Sequence, residues 1–181
     1  MSAVEHHQAI TDDNLQQVYE FVTSQDSAKH LQYKVFLNIM LSFGRRGWEN
    51  LAGLRGMDFA VTRDDNEIMY VYLTRDFQTK NHQDNKSSDG HMFQIKDSHR
   101  FPLKPLVKYM RHLKPICQAF FQVPRPEPIE NIFYNNVHPG NNKLGNFVRT
   151  ISEEAGLSKI YTNHCLRATT VHILDKAQIP S

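Results

Sequence analysis

The sequence predicts an α+β fold that is mostly helical and carries a small antiparallel sheet. Apolar residues recur at helical spacing over most of the chain. The period changes to two between residues 68 and 96, where short apolar runs alternate. Clusters of Gly, Pro, Ser and Asn separate the periodic segments, and no internal repeat is present.

In chain order, residues 1–11 read as a polar lead-in. Thr11-Asp12-Asp13-Asn14, followed by Leu15, Val18, Tyr19 and Val22, predicts a capped short helix. Leu31, Val35, Phe36, Ile39, Met40 and Phe43 predict an amphipathic helix over 29–43. Gly44-Arg45-Arg46-Gly47 interrupts it, a further helix covers 48–54, and Asp58 falls in a turn. Ile68, Tyr70 and Tyr72 alternate with Met69, Val71 and Leu73 as a strand, and Met92 to Lys96 form a returning strand. The polar residues 75–90 between them make a long, flexible basic hairpin tip. Pro102 opens a helix with Leu103, Leu106, Val107, Met110 and Leu113 as its stripe. Pro124, Pro126 and Pro128 mark an irregular connection. Leu144, Phe147, Val148 and Ile151 mark a helix closed near Gly156, and a last helix runs from about Asn163 towards Ala177.

The chain has 181 residues, enough for one domain with a substantial core. Its 40% hydrophobic and 22% charged content suit a globular protein. No apolar run is long enough to span a membrane, and no basic-then-apolar leader opens the sequence, so the expectation is an intracellular protein without a membrane partner. Cys117 and Cys165 lack metal-ligand spacing and read as reduced thiols. The net charge of +2 argues neither for nor against nucleic acid, because clustering matters more than the total. The clusters are Arg45-Arg46, the series Lys104, Lys108, Arg111, His112 and Lys114, and Lys143 with Arg149.

His164 and Arg167 stand three residues apart at the start of the last helix and therefore share a face. A helix start offers N–H groups and partial positive charge, so an imidazole and a guanidinium there suit a phosphate. Two other segments add cationic candidates: Arg46, followed by Glu49, and Lys80 in Gln78-Thr79-Lys80-Asn81-His82. Plainer readings stand beside these. Arg46 can pair with Glu49 on a helix surface, Lys80 can be one lysine of a solvated loop with Lys86 as competitor, and His164 can be a core histidine.

Taken in order, Arg46-Gly-Trp-Glu49-Asn-Leu51, Lys80 and His164-Cys-Leu-Arg167 resemble the catalytic domain of the tyrosine recombinases. Three longer segments are similar to Crypton-type recombinases and to the related C-terminal domain of MYM-type zinc-finger proteins. They are Phe43 to Leu51, Gln78 to His82, and Ala155-Gly-Leu-Ser-Lys-Ile-Tyr-Thr-Asn-His-Cys-Leu-Arg-Ala-Thr-Thr170. The resemblance covers roughly residues 12–181 and implies a tyrosine recombinase/integrase-like catalytic core over that span, incomplete at its C-terminus. It implies Arg46, Lys80, His164 and Arg167 as catalytic residues, with Arg46 and Arg167 on the DNA phosphate and Glu49 supporting. The implied partner is double-stranded DNA, with copies of the chain assembling on it, in the nucleus. Neither a metal nor a small-molecule cofactor is implied.

The resemblance also implies a further His or Trp and a Tyr nucleophile beyond Ser181. Tyr161 precedes the His164/Arg167 pair and does not fit the nucleophile's place, and Tyr134 sits in a Pro/Asn-rich loop. Two readings follow: a DNA strand-breaking and rejoining domain of mobile-element origin whose Tyr lies outside this chain, or a non-catalytic domesticated nuclear DNA- or protein-interaction module.

Overall fold

A computed structural model describes residues 8–43, 49–74, 92–93 and 103–176. Helix α1, Asp12–Thr23, starts where the sequence predicts. The Thr11 side chain accepts the Asn14 N–H at 3.3 Å, and Asp12 and Asp13 place negative charge in the first turn. Within the expected polar lead-in, Ile10 is buried and its N–H donates to Thr169 Oγ1 at 2.9 Å.

Helix α2, Ala28–Phe43, differs from the amphipathic helix expected there. His30, Gln32, Tyr33 and Asn38 are buried along with Leu31, Val35, Phe36, Leu37, Ile39 and Met40. A helix buried on every side lies in the core rather than on its rim. Helix α1 and helix α4, Leu103–Arg111, both pack against it, and so does helix α7, Asn163–Lys176. Its polar side chains have to be satisfied locally. Gln32 Nε2 donates to the Gln122 carbonyl at 2.5 Å and to Tyr109 Oη at 3.1 Å, and the Tyr109 hydroxyl donates to the Phe120 carbonyl at 2.9 Å. Tyr19 donates to Asn38 Oδ1 at 2.8 Å. Tyr134 donates to the Ala28 carbonyl at 2.8 Å, which ties the far side of the core to the start of α2.

The short helix α3, Glu49–Ala52, is followed by a 3₁₀ turn, Gly56–Asp58, in which Asp58 Oδ2 accepts the Arg55 N–H at 2.8 Å. The expected strand is β2, Met69–Leu73, and it pairs antiparallel with β3, Met92–Phe93. It also pairs with a strand the sequence does not announce, β1, Phe59–Arg63, in the register Phe59 to Leu73 and Val61 to Val71. Only Phe59 of β1 is buried, so an alternating apolar signal is missing. The β1–β2 turn is held by Asp64 Oδ1, which accepts the N–H groups of Asn66 and Ile68 at 2.9 Å each. Residues 75–90, the expected hairpin tip, lie outside the described residues, as do Trp48, Gln94, Ile95 and Lys96.

Two further expectations are corrected. The proline-rich connection is a two-stranded antiparallel sheet, β4, Pro124–Ile129, with β5, Ile132–Tyr134. Prolines at every second position leave all their missing N–H groups on one edge, so the opposite edge can still pair. The helix expected over 144–155 is two helices, α5, Asn141–Gly145, and α6, Phe147–Glu154, broken at Asn146. Helix α6 ends as its sequence predicts. Gly156 takes φ +66, with Gly156 N–H on the Glu153 carbonyl at 3.2 Å and Leu157 N–H on the Ser152 carbonyl at 3.0 Å.

One buried histidine, His30, and one half-buried, His138, make stability depend on pH. His30 Nδ1 lies 2.7 Å from Ser27 Oγ, and among the described residues its Nε2 has no hydrogen-bond partner. His138 Nδ1 accepts the Gly140 N–H at 2.9 Å, and its Nε2 is equally unpartnered among the described residues. Burial lowers both pKa values below 6.5; Lys29 lowers that of His30 further and Glu154 opposes it. The unfolded chain therefore takes up protons first as the pH falls, so stability is full above 6.5 and declines below it. Thermal melts across this range should show a falling Tm that flattens in a His30→Gln/His138→Gln variant, whatever that variant's absolute stability.

Candidate functional site

The start of α7 is built by side chains that face inward. Asn163 is buried and spans the break between α5 and α6: its Nδ2 donates to the Leu144 carbonyl at 2.9 Å, and its Oδ1 accepts the Val148 N–H at 3.2 Å. It thereby satisfies a carbonyl at the end of one helix and an N–H at the start of the next, groups that helix termini leave without intrahelical partners. The Thr162 carbonyl accepts the Cys165 N–H at 2.9 Å and closes the first turn. Cys165, Leu166 and Thr169 are buried, and Thr169 Oγ1 donates to the Cys165 carbonyl at 2.7 Å. Thr170 Oγ1 lies 3.4 Å from the Leu41 carbonyl near the end of α2.

With that face fixed inward, His164 and Arg167 project outward, exposed, one turn apart on one face. The reading of His164 as a core histidine is thereby corrected. Val171 and Ile173 remain 45% and 37% exposed further along the helix. Imidazole and guanidinium so placed can both donate to one anion above the helix start, where the peptide dipoles add positive potential.

The other sequence candidates fall as follows. Arg46, Lys80 and its competitor Lys86 lie outside the described residues; Glu49 opens α3, with its side chain outside them as well. Both flanks of the Arg46 segment are nonetheless placed. Leu41 on α2 meets Thr170 of α7, and α3 packs against α5, where Leu51 and Leu144 are buried. Because Asn163 ties α5 to the start of α7, α3 and the His164/Arg167 pair lie on the same side of the core. Exposed Lys143, next to Leu144, joins this region, whereas Arg149 is engaged with Glu153 at 3.2 Å.

Sequence reasoning passed over Asn163. Its signal was a polar amide at a helix boundary, adjacent to the pair it positions. Tyr161 is buried under the same turn: its N–H donates to Ser152 Oγ at 3.2 Å, and its hydroxyl oxygen accepts from Asn14 Nδ2 at 2.8 Å. Tyr134 is fully buried, and burial pushes its hydroxyl far above the ordinary tyrosine range. Both cysteines carry free thiols, Cys165 buried and Cys117 half-buried. Among the described residues, no group of three or more His, Cys, Asp or Glu side chains is placed to hold a metal.

The chain is similar in structure to the XerH site-specific recombinase bound to its difH substrate in a pre-cleavage complex. The TM-score is 0.55 at 18% identity, over 94% of this chain and 43% of that one. It is also similar to a lambda integrase dimer bound to a COC′ core site, with a TM-score of 0.53 at 14% identity, over 98% of this chain and 43% of that one. The chain thus spans less than half the length of either. No protein-family model and no curated protein sequence matches it. The fold is tyrosine recombinase-like: about half helical among the described residues, with two small antiparallel sheets.

Asn163→Ala should leave the Leu144 carbonyl and the Val148 N–H buried without partners. The expected loss is about 1–3 kcal/mol in urea unfolding. Asn163→Asp sets a buried carboxylate oxygen against the Leu144 carbonyl and should cost at least as much as the alanine variant near neutral pH.

Proposed function

We propose that the chain is a double-stranded DNA-binding domain of tyrosine recombinase type. In this reading it is of mobile-element, Crypton-type origin, related to the C-terminal domain of MYM-type zinc-finger proteins, and acts in the nucleus. The observation that carries the reading is the exposed His164/Arg167 pair at the start of α7, held by Asn163 within a recombinase-like fold. The two solved relatives are complexes with their DNA sites, one of them a dimer, which supports DNA as the partner and copies assembling on it.

The chemistry follows from the residue types. A tyrosine hydroxyl attacks the phosphorus of a DNA phosphodiester, the bond to the 5′ oxygen breaks, and a phosphotyrosine forms. Negative charge grows on the non-bridging oxygens as the five-coordinate state is reached. Arg46 and Arg167 meet it with fork geometry that lysine lacks, and Glu49 supports Arg46. His164 donates to the same oxygens, and Lys80 gives the proton that the departing 5′ oxygen needs. Of the seven tyrosines, Tyr19, Tyr33, Tyr109, Tyr134 and Tyr161 are buried, and Tyr70 and Tyr72 lie on β2, ahead of the place the resemblance gives the nucleophile. Burial also pushes the Tyr33 hydroxyl up to about 12. In this reading the nucleophile comes from outside this sequence. The burial of these tyrosines also favours a second reading, in which the domain binds DNA or protein without cutting.

The test is binding of a labelled duplex at low and moderate salt. Native chain should bind with an affinity that falls steeply with salt, as phosphate contacts require. Arg46→Ala/Arg167→Ala should weaken binding about tenfold or more and make the log–log salt slope shallower by about one per arginine. Supplying a chain extended with the tyrosine-bearing segment should then trap a covalent adduct on a nicked duplex. A folded chain with no duplex binding, or with binding indifferent to both arginines, removes the phosphate-pocket reading. Binding without adduct formation selects the non-catalytic one.

A further inference from the structure

Residues 135–149 hold no Asp or Glu, although the chain has 19 acidic residues. The nearest on either side are Glu130 and Glu153, and Arg149 engages Glu153 at 3.2 Å. What α5 exposes instead is Asn141, Asn142 and Lys143. Asn146, just beyond it, spends its Nδ2 on the Asn142 carbonyl at 2.8 Å. The side chains of Asn141, Asn142 and Lys143 make no hydrogen bond or ion pair among the described residues. The backbone beneath them is fixed. Val123 N–H donates to the Val137 carbonyl and Asn135 N–H to the Val123 carbonyl, each at 2.9 Å. His138 Nδ1 accepts the Gly140 N–H at 2.9 Å, and Gly140 turns the chain into α5 at φ +83. Asn163 then bonds the Leu144 carbonyl, so one side-chain hydrogen bond joins α5 to the residue before His164.

We propose that Asn141 and Asn142 read adenine in the major groove, beside the phosphate met by His164 and Arg167, and that Lys143 contacts a neighbouring phosphate. This rests on the DNA reading above and adds a sequence preference to it. Phosphate contacts fix the register of a protein on a duplex but carry no sequence information, so His164 and Arg167 alone would treat all sequences alike. A carboxamide sets a donor and an acceptor side by side, which match the adenine N7 acceptor and N6 amino group in the major groove. The minor groove shows the same acceptors for A·T and T·A, so an amide gains little discrimination there. Lys143 lacks such a fork and supplies a point charge. The missing carboxylates fit this role, because an acidic side chain on the same edge would repel the phosphates that flank the base. A merely solvated edge would take Asp or Glu as readily as Asn. A base-reading side chain also gains from a backbone fixed in advance, which Val123, His138 and Asn163 provide.

The experiment is selection of bound duplexes from a randomised pool by the full chain, followed by anisotropy titration of the enriched duplex. The enriched sites should share adenine at one position or at two neighbouring ones. Guanine in its place should weaken native chain about tenfold, the size of one good bidentate contact. An adenine whose N7 is replaced by C–H keeps its pairing and should cost about fivefold, the size of one lost hydrogen bond. Asn141→Ala/Asn142→Ala should bind all these duplexes equally and keep the native affinity for unselected duplex. Lys143→Gln should instead weaken every duplex alike and make the log–log salt slope shallower by about one. Each variant is first shown to retain the native thermal transition. The proposal is overturned if native chain binds duplex and enriches no adenine, or if the preference survives the double substitution. It is equally overturned if the N7-lacking adenine binds as well as adenine. In each of those cases the phosphate reading still stands so long as Arg167→Ala weakens binding. A folded native chain that binds no duplex overturns both.

Discussion

The burial of α2 on every side is the constraint on which the rest of the structure depends. A helix of this kind cannot be stabilised by one amphipathic stripe and one partner. It needs cover all round, and α1, α4, α7, β3 and β4 supply it. Phe36, Ile39 and Val35 have no exposed surface, and Phe36 meets Phe121 and Phe147 edge-on at 5.9 and 5.0 Å. Truncating a side chain so placed typically costs about 3–5 kcal/mol, a large part of a domain's net stability. The polar groups on α2 then become specifying elements. Gln32 reaches the Gln122 carbonyl and the Tyr109 hydroxyl only if α4 and the loop carrying Gln122 sit where they do.

That constraint propagates to the candidate site in two short steps. Helix α7 lies on α2 through its buried face, with Thr170 at Leu41, which sets the direction of the helix. Asn163 then sets where the helix begins, by filling the gap left at the α5–α6 break. His164 and Arg167 contribute to neither step. Their backbone is fixed by neighbours that face inward, while their own side chains are exposed.

Much of the fold was legible because helical periodicity is a long signal. Thr11 and the stripe after it marked α1, and Gly156 marked the end of α6. The failures share a cause. Strand β1 has one buried residue and therefore no pattern; β4 hides behind prolines that forbid pairing on only one of its edges. The break at Asn146 is decided by a buried amide from another helix, which no local window contains. In the site, the spacing of His164 and Arg167 was readable, but their exposure was not: a core histidine fitted the same sequence, and of the neighbouring apolar residues Leu166, Val171 and Ile173 only Leu166 is buried. Arg46 and Lys80 rest on sequence alone, beyond the described residues.

The cations of this chain differ in physical character according to how far they are taken out of water. His164 and Arg167 stand in solvent, where interactions with an anion beyond direct contact are screened over about 10 Å at moderate salt. Such a surface suits a polyanion whose many phosphates compensate for weak individual terms. Lys34 sits half-buried beside aliphatic walls, where screening is weaker and a single carboxylate counts for more. A net charge of +2 conceals this division, since the acidic residues paired with Lys29 and Lys176 neutralise cations elsewhere. What distinguishes the surfaces is therefore the solvation of the cations rather than their number, and solvation is set by how α1, α2 and α4 pack.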